Sequence, residues 1–146
     1  MHRQPLARVL VVDDNAEMLQ IVTKTLSRVG IATTIAQSGD AALALVAKTP
    51  FDLILLDNNM PGLTGMEVCQ QLKANPQWWA IPIVFITANS SHPFRAEAQR
   101  LGAVDVLAKP FDMLALLKVT LTALKRPVVP EATLDELLRL YAPPQA

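Results

Sequence analysis

The sequence predicts an α/β fold of the open, doubly wound kind, a five-stranded parallel sheet with helices on both faces. Short apolar runs alternate with stretches of helical spacing five times, a (βα)5 pattern that calls for right-handed crossovers. The central run, Phe51-Asp-Leu-Ile-Leu-Leu56, is almost continuously apolar, as in strands buried on both faces. It ends in a lone carboxylate, Asp57, before a turn through Met60-Pro61-Gly62. An aspartate at the carboxyl end of a central strand lies where open α/β sheets bind their ligands.

The first strand is Arg8-Val-Leu-Val-Val12, ending in Asp13-Asp14. Ala16 to Val29 reads as a helix with Met18, Val22, Leu26 and Val29 on one face, stopped by Gly30. Ala32 to Ala36 is a short β-branched edge strand. Ser38 to Ala47 is a small helix ended by Thr49-Pro50. After the Asp57 strand, Thr64 to Lys73 forms a third helix before a turn at Asn75-Pro76. Ile83 to Ala88 is the fourth strand, with Thr87 near its end. Ser91 and Pro93 read as the cap and first helical residue of a helix running to Leu101 and stopping at Gly102. Val104 to Lys109 is the fifth strand, and Asp112 caps a helix through Leu124.

Residues 6–126 thus form the main domain, and 127–146 a Pro-bounded linker with a short amphipathic helix. Thr133-x-x-Glu136 reads as a capping box, with Leu134, Leu137, Leu138 and Tyr141 on one face and Pro143-Pro144 closing the helix. The helix before it carries two apolar stripes, a core stripe of Leu114, Leu117, Leu121 and Leu124 and a second of Leu116, Val119 and Ala123. That second stripe calls for a cover, either the C-terminal helix in cis or a second copy, giving a homodimer through the last two helices.

A chain of 146 residues, 51% hydrophobic, is long enough for one domain with a real core. Thirteen basic residues balance thirteen acidic ones, which disfavours direct nucleic-acid binding through a basic face. The single Cys69 has no internal disulfide partner, which fits a reducing compartment. The apolar run after Met1-His-Arg-Gln-Pro5 is too short for a signal sequence or membrane span. A cytoplasmic protein is the expectation.

The chemistry gathers at the strand ends. Asp13-Asp14, Asp57, Thr87 and Lys109 close four strands, and a doubly wound sheet brings such ends into one crevice. Three carboxylates there repel one another unless a cation neutralises them. An all-oxygen donor set with few protein groups suits Mg2+. Lys109 adds a charge and Thr87 a hydroxyl for phosphate oxygens. The set fits in-line attack by the Asp57 carboxylate on phosphorus. Each residue alone has a plainer role as helix cap, turn residue, β-former or solvated lysine; it is their conjunction that argues for a site.

Val-Val-Asp13-Asp14, Leu-Leu-Asp57-Asn-Asn-Met-Pro-Gly62, Ile-Thr87-Ala88 and Ala-Lys109-Pro110-Phe111 together resemble the response-regulator receiver domains of bacterial two-component signalling, over roughly residues 6 to 126. The resemblance implies a flavodoxin-like sheet in order 2-1-3-4-5 and a phosphoprotein that switches partner or self-association rather than an enzyme acting on a separate substrate. It implies Asp57 as phosphoacceptor, Asp14 as direct Mg2+ ligand, Asp13 as its partner through water, and Asn59 as donor of a backbone carbonyl. Thr87 and Lys109 would hold the phosphoryl oxygens, Ala88 would leave the acceptor accessible, and Lys109-Pro110 would be cis. The implied phosphodonor is the phosphohistidine of a sensor histidine kinase or histidine phosphotransfer protein. Asn59 and Asn89 border the path of an attacking water and would tune the lifetime of the acyl phosphate. Many relatives carry Tyr or Phe three residues before the lysine; this chain has Val106, whose stiff side chain cannot make the ring rotation that accompanies movement of the threonine.

Two readings of other classes compete. A phosphohydrolase of the haloacid-dehalogenase kind needs an acid two residues after the nucleophile, where this chain has Asn59. A receiver-like adaptor that is never phosphorylated commonly lacks one of the site residues, and here all are present. Trp78-Trp79 is expected to pack a loop, His92 has no second metal ligand in view, and Cys69 reads as an inert core residue.

Overall fold

The structure, a computed structural model, describes residues 4–143; residues 1–3 and 144–146, among them Pro144, lie outside them. The elements run β1 (Ala7–Val12), α1 (Ala16–Ser27), β2 (Ile31–Ala36), α2 (Gly39–Lys48), β3 (Leu53–Leu56), α3 (Gly65–Lys73), β4 (Ile83–Thr87), α4 (His92–Arg100), β5 (Asp105–Ala108), α5 (Met113–Ala123) and α6 (Leu134–Tyr141). All strand pairs are parallel, in the order β2-β1-β3-β4-β5. The flavodoxin-like architecture is therefore as expected, with β2 at one edge and β5 at the other.

Two cores follow from the two-residue period of the strands. Val9, Val11, Leu53, Leu55, Val84 and Ile86 face α1, α5 and α6. Their neighbours Leu10, Val12, Ile54, Leu56, Ile83 and Phe85 face α2, α3 and α4. β1, β3 and β4 are buried on both faces for nearly their whole length, which is why they read as continuous apolar runs.

Several local readings are corrected. The plainer alternative for Asp13-Asp14, a helix cap, falls away, because Asn15 caps α1 by accepting from the Met18 amide at 3.1 Å. Ser91 accepts from Phe94, which puts His92 at the first helical position and Pro93 at the second. A reciprocal capping box forms at Thr64 and Glu67, at the start of α3. At Thr133 only half of the expected box is present. The hydroxyl accepts from the Glu136 amide, but the Glu136 carboxylate takes the hydroxyl proton rather than a backbone N–H. On α5 the fully buried residues are Leu116, Leu117, Thr120 and Leu121, with Leu114 and Leu124 only half-buried. The buried face is rotated from the expected stripe because α5 packs against the sheet, α1 and α6 at once.

The second apolar face of α5 is covered in cis. Leu137 of α6 is 2% exposed, and Leu134, Leu138 and Tyr141 pack half-buried against the same core. Tyr141 donates its hydroxyl to the Pro127 carbonyl at 2.6 Å, and Lys118 of α5 donates to Pro130. Trp78 packs against the second core, whereas Trp79 is 58% exposed. Among the described residues no helix is long and apolar enough to cross a membrane.

Candidate functional site

The strand ends converge as expected. The register aligns Val12 with Leu56 and Thr87 with Ala108, so Asp13, Asp57, Thr87 and Lys109 emerge side by side at the carboxyl edge. The Asp57 amide donates to the Val12 carbonyl and the Lys109 amide to the Thr87 carbonyl, both at 2.9 Å. These bonds carry the sheet pairing one residue beyond the strands and fix where the site residues leave it.

Carboxylate oxygens of Asp13, Asp14 and Asp57 lie within 4.8 Å of one another. Asp13 and Asp57 are buried, and Asp14 faces solvent. Because Asn15 caps α1, neither aspartate is used as the helix cap; Asp13 instead accepts the Asn15 amide at 2.9 Å. The Lys109 ammonium reaches across the crevice to Asp13 at 2.7 Å and stands 3.7 Å from Asp57. Burial pushes the Asp57 carboxyl above its ordinary value of 3.8; Lys109 opposes this, and Asp13 and Asp14 add to it by like charge. One ammonium faces three carboxylates, an excess of negative charge that a small, oxygen-seeking divalent cation would neutralise. The donor set thus fits Mg2+, with Asp13, Asp14 and Asp57 as the residues that could hold it.

Thr87 is fully buried and its oxygen accepts the Asn89 amide at 3.2 Å, which leaves the hydroxyl proton to be donated elsewhere. Ala88 is exposed. Asn59 is exposed and its amide lies 3.4 Å from Asp57 Oδ1. The Asn89 side-chain oxygen accepts from Ser91, so that side chain is partly committed to the turn before α4. Lys109-Pro110 is cis. Val106 is half-buried on β5, packed against the second core.

Two site-shaping residues escaped the sequence reading. A Cβ on Gly65 would fall 2.5 Å from the Asp57 carbonyl oxygen and 2.8 Å from the Asn58 Cα, so only glycine lets α3 approach the loop after β3 this closely. Asn58 secures the loop: its side chain accepts the Met66 amide at 2.9 Å and its carbonyl accepts from Gly65 at 3.1 Å. The signal was the Thr64-x-x-Glu67 spacing, which puts Gly65 in the first position of α3.

Residues 9–121 match the family described as "Response regulator receiver domain". The chain belongs to that family. Among its relatives, the "Response regulator PleD" of Caulobacter vibrioides is 40% identical over 106 residues, covering 73% of this chain and 23% of that protein. The "Transcriptional regulatory protein ResD" of Bacillus subtilis is 38% identical over 105 residues, 72% of this chain and 42% of the other. Among solved structures, the chemotaxis response regulator CheY4 of Vibrio cholerae superposes with a TM-score of 0.76 at 36% identity, over 80% of this chain and 98% of that one. The chain spans about a quarter to a half of the length of such curated relatives. It is a receiver domain of two-component signalling, a signalling module, with the fold and acidic cluster expected of one.

Proposed function

We propose that Asp57 is the phosphoacceptor, in a Mg2+-dependent in-line transfer from a phosphohistidine of a sensor histidine kinase or histidine phosphotransfer protein. The observation that carries this reading is the convergence of Asp13, Asp14 and Asp57 within 4.8 Å, with Lys109 reaching into the cluster. An Asp57 carboxylate oxygen attacks phosphorus, an O–P bond forms as the P–N bond breaks, and the donor imidazole leaves with the electron pair. Lys109 supplies a charge and Thr87 a hydroxyl donor for the phosphoryl oxygens, and the exposed Ala88 leaves the approach open. When bound, Mg2+ screens the carboxylates and the incoming phosphoryl charge; Asp14 and Asp57 would hold it directly, Asp13 through water, and Asn59 through its backbone carbonyl. The chain modifies itself rather than turning over a separate substrate. Residues 6–126 act as the receiver and 127–146 as an appended linker and helix, in the cytoplasm.

Incubation with Mg2+ and acetyl phosphate is expected to add one phosphoryl group by intact mass. Chelation of Mg2+ or Asp57→Asn is expected to abolish the addition. Turnover of many phosphate esters would point instead to a phosphohydrolase, and no uptake to an adaptor. Asn59, exposed beside Asp57, would orient a hydrolytic water, and Asn89, two residues after Thr87, is the second tuning position. Asn59→Ala is expected to lengthen the acyl-phosphate lifetime several-fold; an unchanged dephosphorylation rate contradicts that role.

A further inference from the structure

The two edges of the sheet are finished differently. At β5, side chains occupy the outward backbone groups of Val106. Its amide donates to the Asp105 carboxylate at 2.8 Å, and its carbonyl accepts from Arg95 Nη1 at 3.2 Å. The same guanidinium donates from Nε to the Ser90 carbonyl at 3.1 Å. One planar fork on α4 thus ties the loop after β4 to the edge strand, and a further strand cannot pair with Val106 without displacing both side chains.

β2, at the opposite edge, has no such guard. Ala36 gives its carbonyl to the Asp13 amide, so alternation along the strand turns the N–H and C=O of Ile31, Thr33 and Ile35 outward. Among the described residues, no hydrogen bond reaches the outward groups of Thr33 or Ile35. Ile31-Ala-Thr-Thr-Ile-Ala36 pairs with β1 throughout without a bulge and holds neither a charge nor a proline. Charges, prolines and bulges are the devices that keep an exposed edge from pairing. Ile35 is 51% exposed and borders a groove of about 450 Å³ between β2 and α1, lined by Leu19, Thr23 and Thr33 among others. Thr23 Oγ1 in that groove is buried without a hydrogen-bond partner. An added strand needs an open ladder for its backbone and a groove for its alternate side chains. β2 offers both along the same residues.

We propose that the added strand is the β2 of a second copy of this chain, paired antiparallel across a two-fold axis at Thr34 so that the two sheets become one. A two-fold contact must be self-complementary, and this strand is. With the axis at Thr34, Thr33 of each copy meets Ile35 of the other, Thr34 meets Thr34, and no charge opposes a charge. Thr–Thr pairs and pairs of β-branched residues stabilise antiparallel ladders. This axis also engages the longest stretch, Ile31 to Gln37, between the left-handed Gly30 and the Ser38 cap of α2. Thirteen basic and thirteen acidic residues leave no net charge to hold two copies apart. The apolar face of α5 is already covered by α6, which leaves the β2 edge as the place for copies to meet.

Analytical ultracentrifugation of the full chain, from micromolar to near-millimolar concentration, is expected to show a monomer–dimer equilibrium. Ile35→Lys enters that dimer twice and is expected to weaken it about tenfold or more. Ile21→Lys, at a comparably exposed isoleucine of α1 outside the groove lining, should leave the dimer unchanged, with circular dichroism confirming that both variants are folded. In the paired strands the two Thr34 Cα atoms form a non-hydrogen-bonded pair about 4.5 Å apart, within disulfide reach. Thr34→Cys is therefore expected to cross-link to its own copy on mild oxidation, while Cys69, fully buried, does not compete. A wild type that stays monomeric throughout leaves the edge to a foreign strand or to solvent and overturns the proposal. A dimer indifferent to Ile35→Lys, one weakened equally by Ile21→Lys, or a Thr34→Cys chain that forms no disulfide dimer overturns it as well.

Discussion

At Asp57, burial and the neighbouring aspartates act together to raise the carboxyl above its ordinary value of 3.8, and only Lys109 and the Asn59 amide oppose them. The sign for stability follows. A carboxyl with a raised folded value contributes most favourably below its unfolded value, and that contribution is lost as pH rises through the folded value. Without Mg2+, Asp57→Asn is therefore expected to melt above wild type near neutral pH, with the gap closing on acidification toward 3.8. Calorimetry across that range checks it; a variant less stable than wild type at neutral pH contradicts it. Gly65 makes the opposite kind of demand. Its Cα faces backbone atoms of Asp57 and Asn58, which cannot swing aside like a side chain. Gly65→Ala is expected to cost about 1–3 kcal/mol in denaturant unfolding and to slow phosphoryl uptake by moving the acceptor loop. Asp57, Thr87 and Lys109 were legible as residue types that match one chemistry. Gly65 and Arg95 were not, because close approach and a bridge between distant carbonyls leave no periodic trace.

Among the elements, those buried on two faces declared themselves most clearly. β3 and β4 are apolar throughout because helices cover both sides, whereas β5 is short, half-exposed and read too long at both ends. The helices were located by their caps, and the errors were of two kinds: capping, since which side chain takes which amide depends on the turn and not on residue type alone, and the buried face of α5, which meets several neighbours at once. α6 was visible as an amphipathic helix, but its docking was not, since a helix face does not say which surface it meets. In the fold that surface is α5 and the core beneath it. Leu137, 2% exposed, anchors the contact, so Leu137→Ala is expected to cost about 2–4 kcal/mol while leaving phosphoryl uptake intact. Equal stability, or loss of uptake, would show that α6 is not the independent cover described.

For the whole molecule, the (βα)5 alternation sets the sheet order, and the order brings the ends of β1, β3, β4 and β5 to one edge. The site is thus a consequence of topology, and this is why four weak motifs became a strong signal together. What lay beyond the sequence is the bridge between the loop after β4 and the β5 edge. Val106 has no ring to turn inward, and the link between the Thr87 loop and the β5 edge is made by Arg95 on α4. Everything proposed for the site turns on which side chain carries the phosphoryl group. After reaction with acetyl phosphate and Mg2+, borohydride reduction converts an aspartyl phosphate to homoserine, and peptide mass mapping locates it. Homoserine at position 57 alone is expected; homoserine at another aspartate, or none in a chain that has taken up phosphate, would contradict Asp57 as the acceptor.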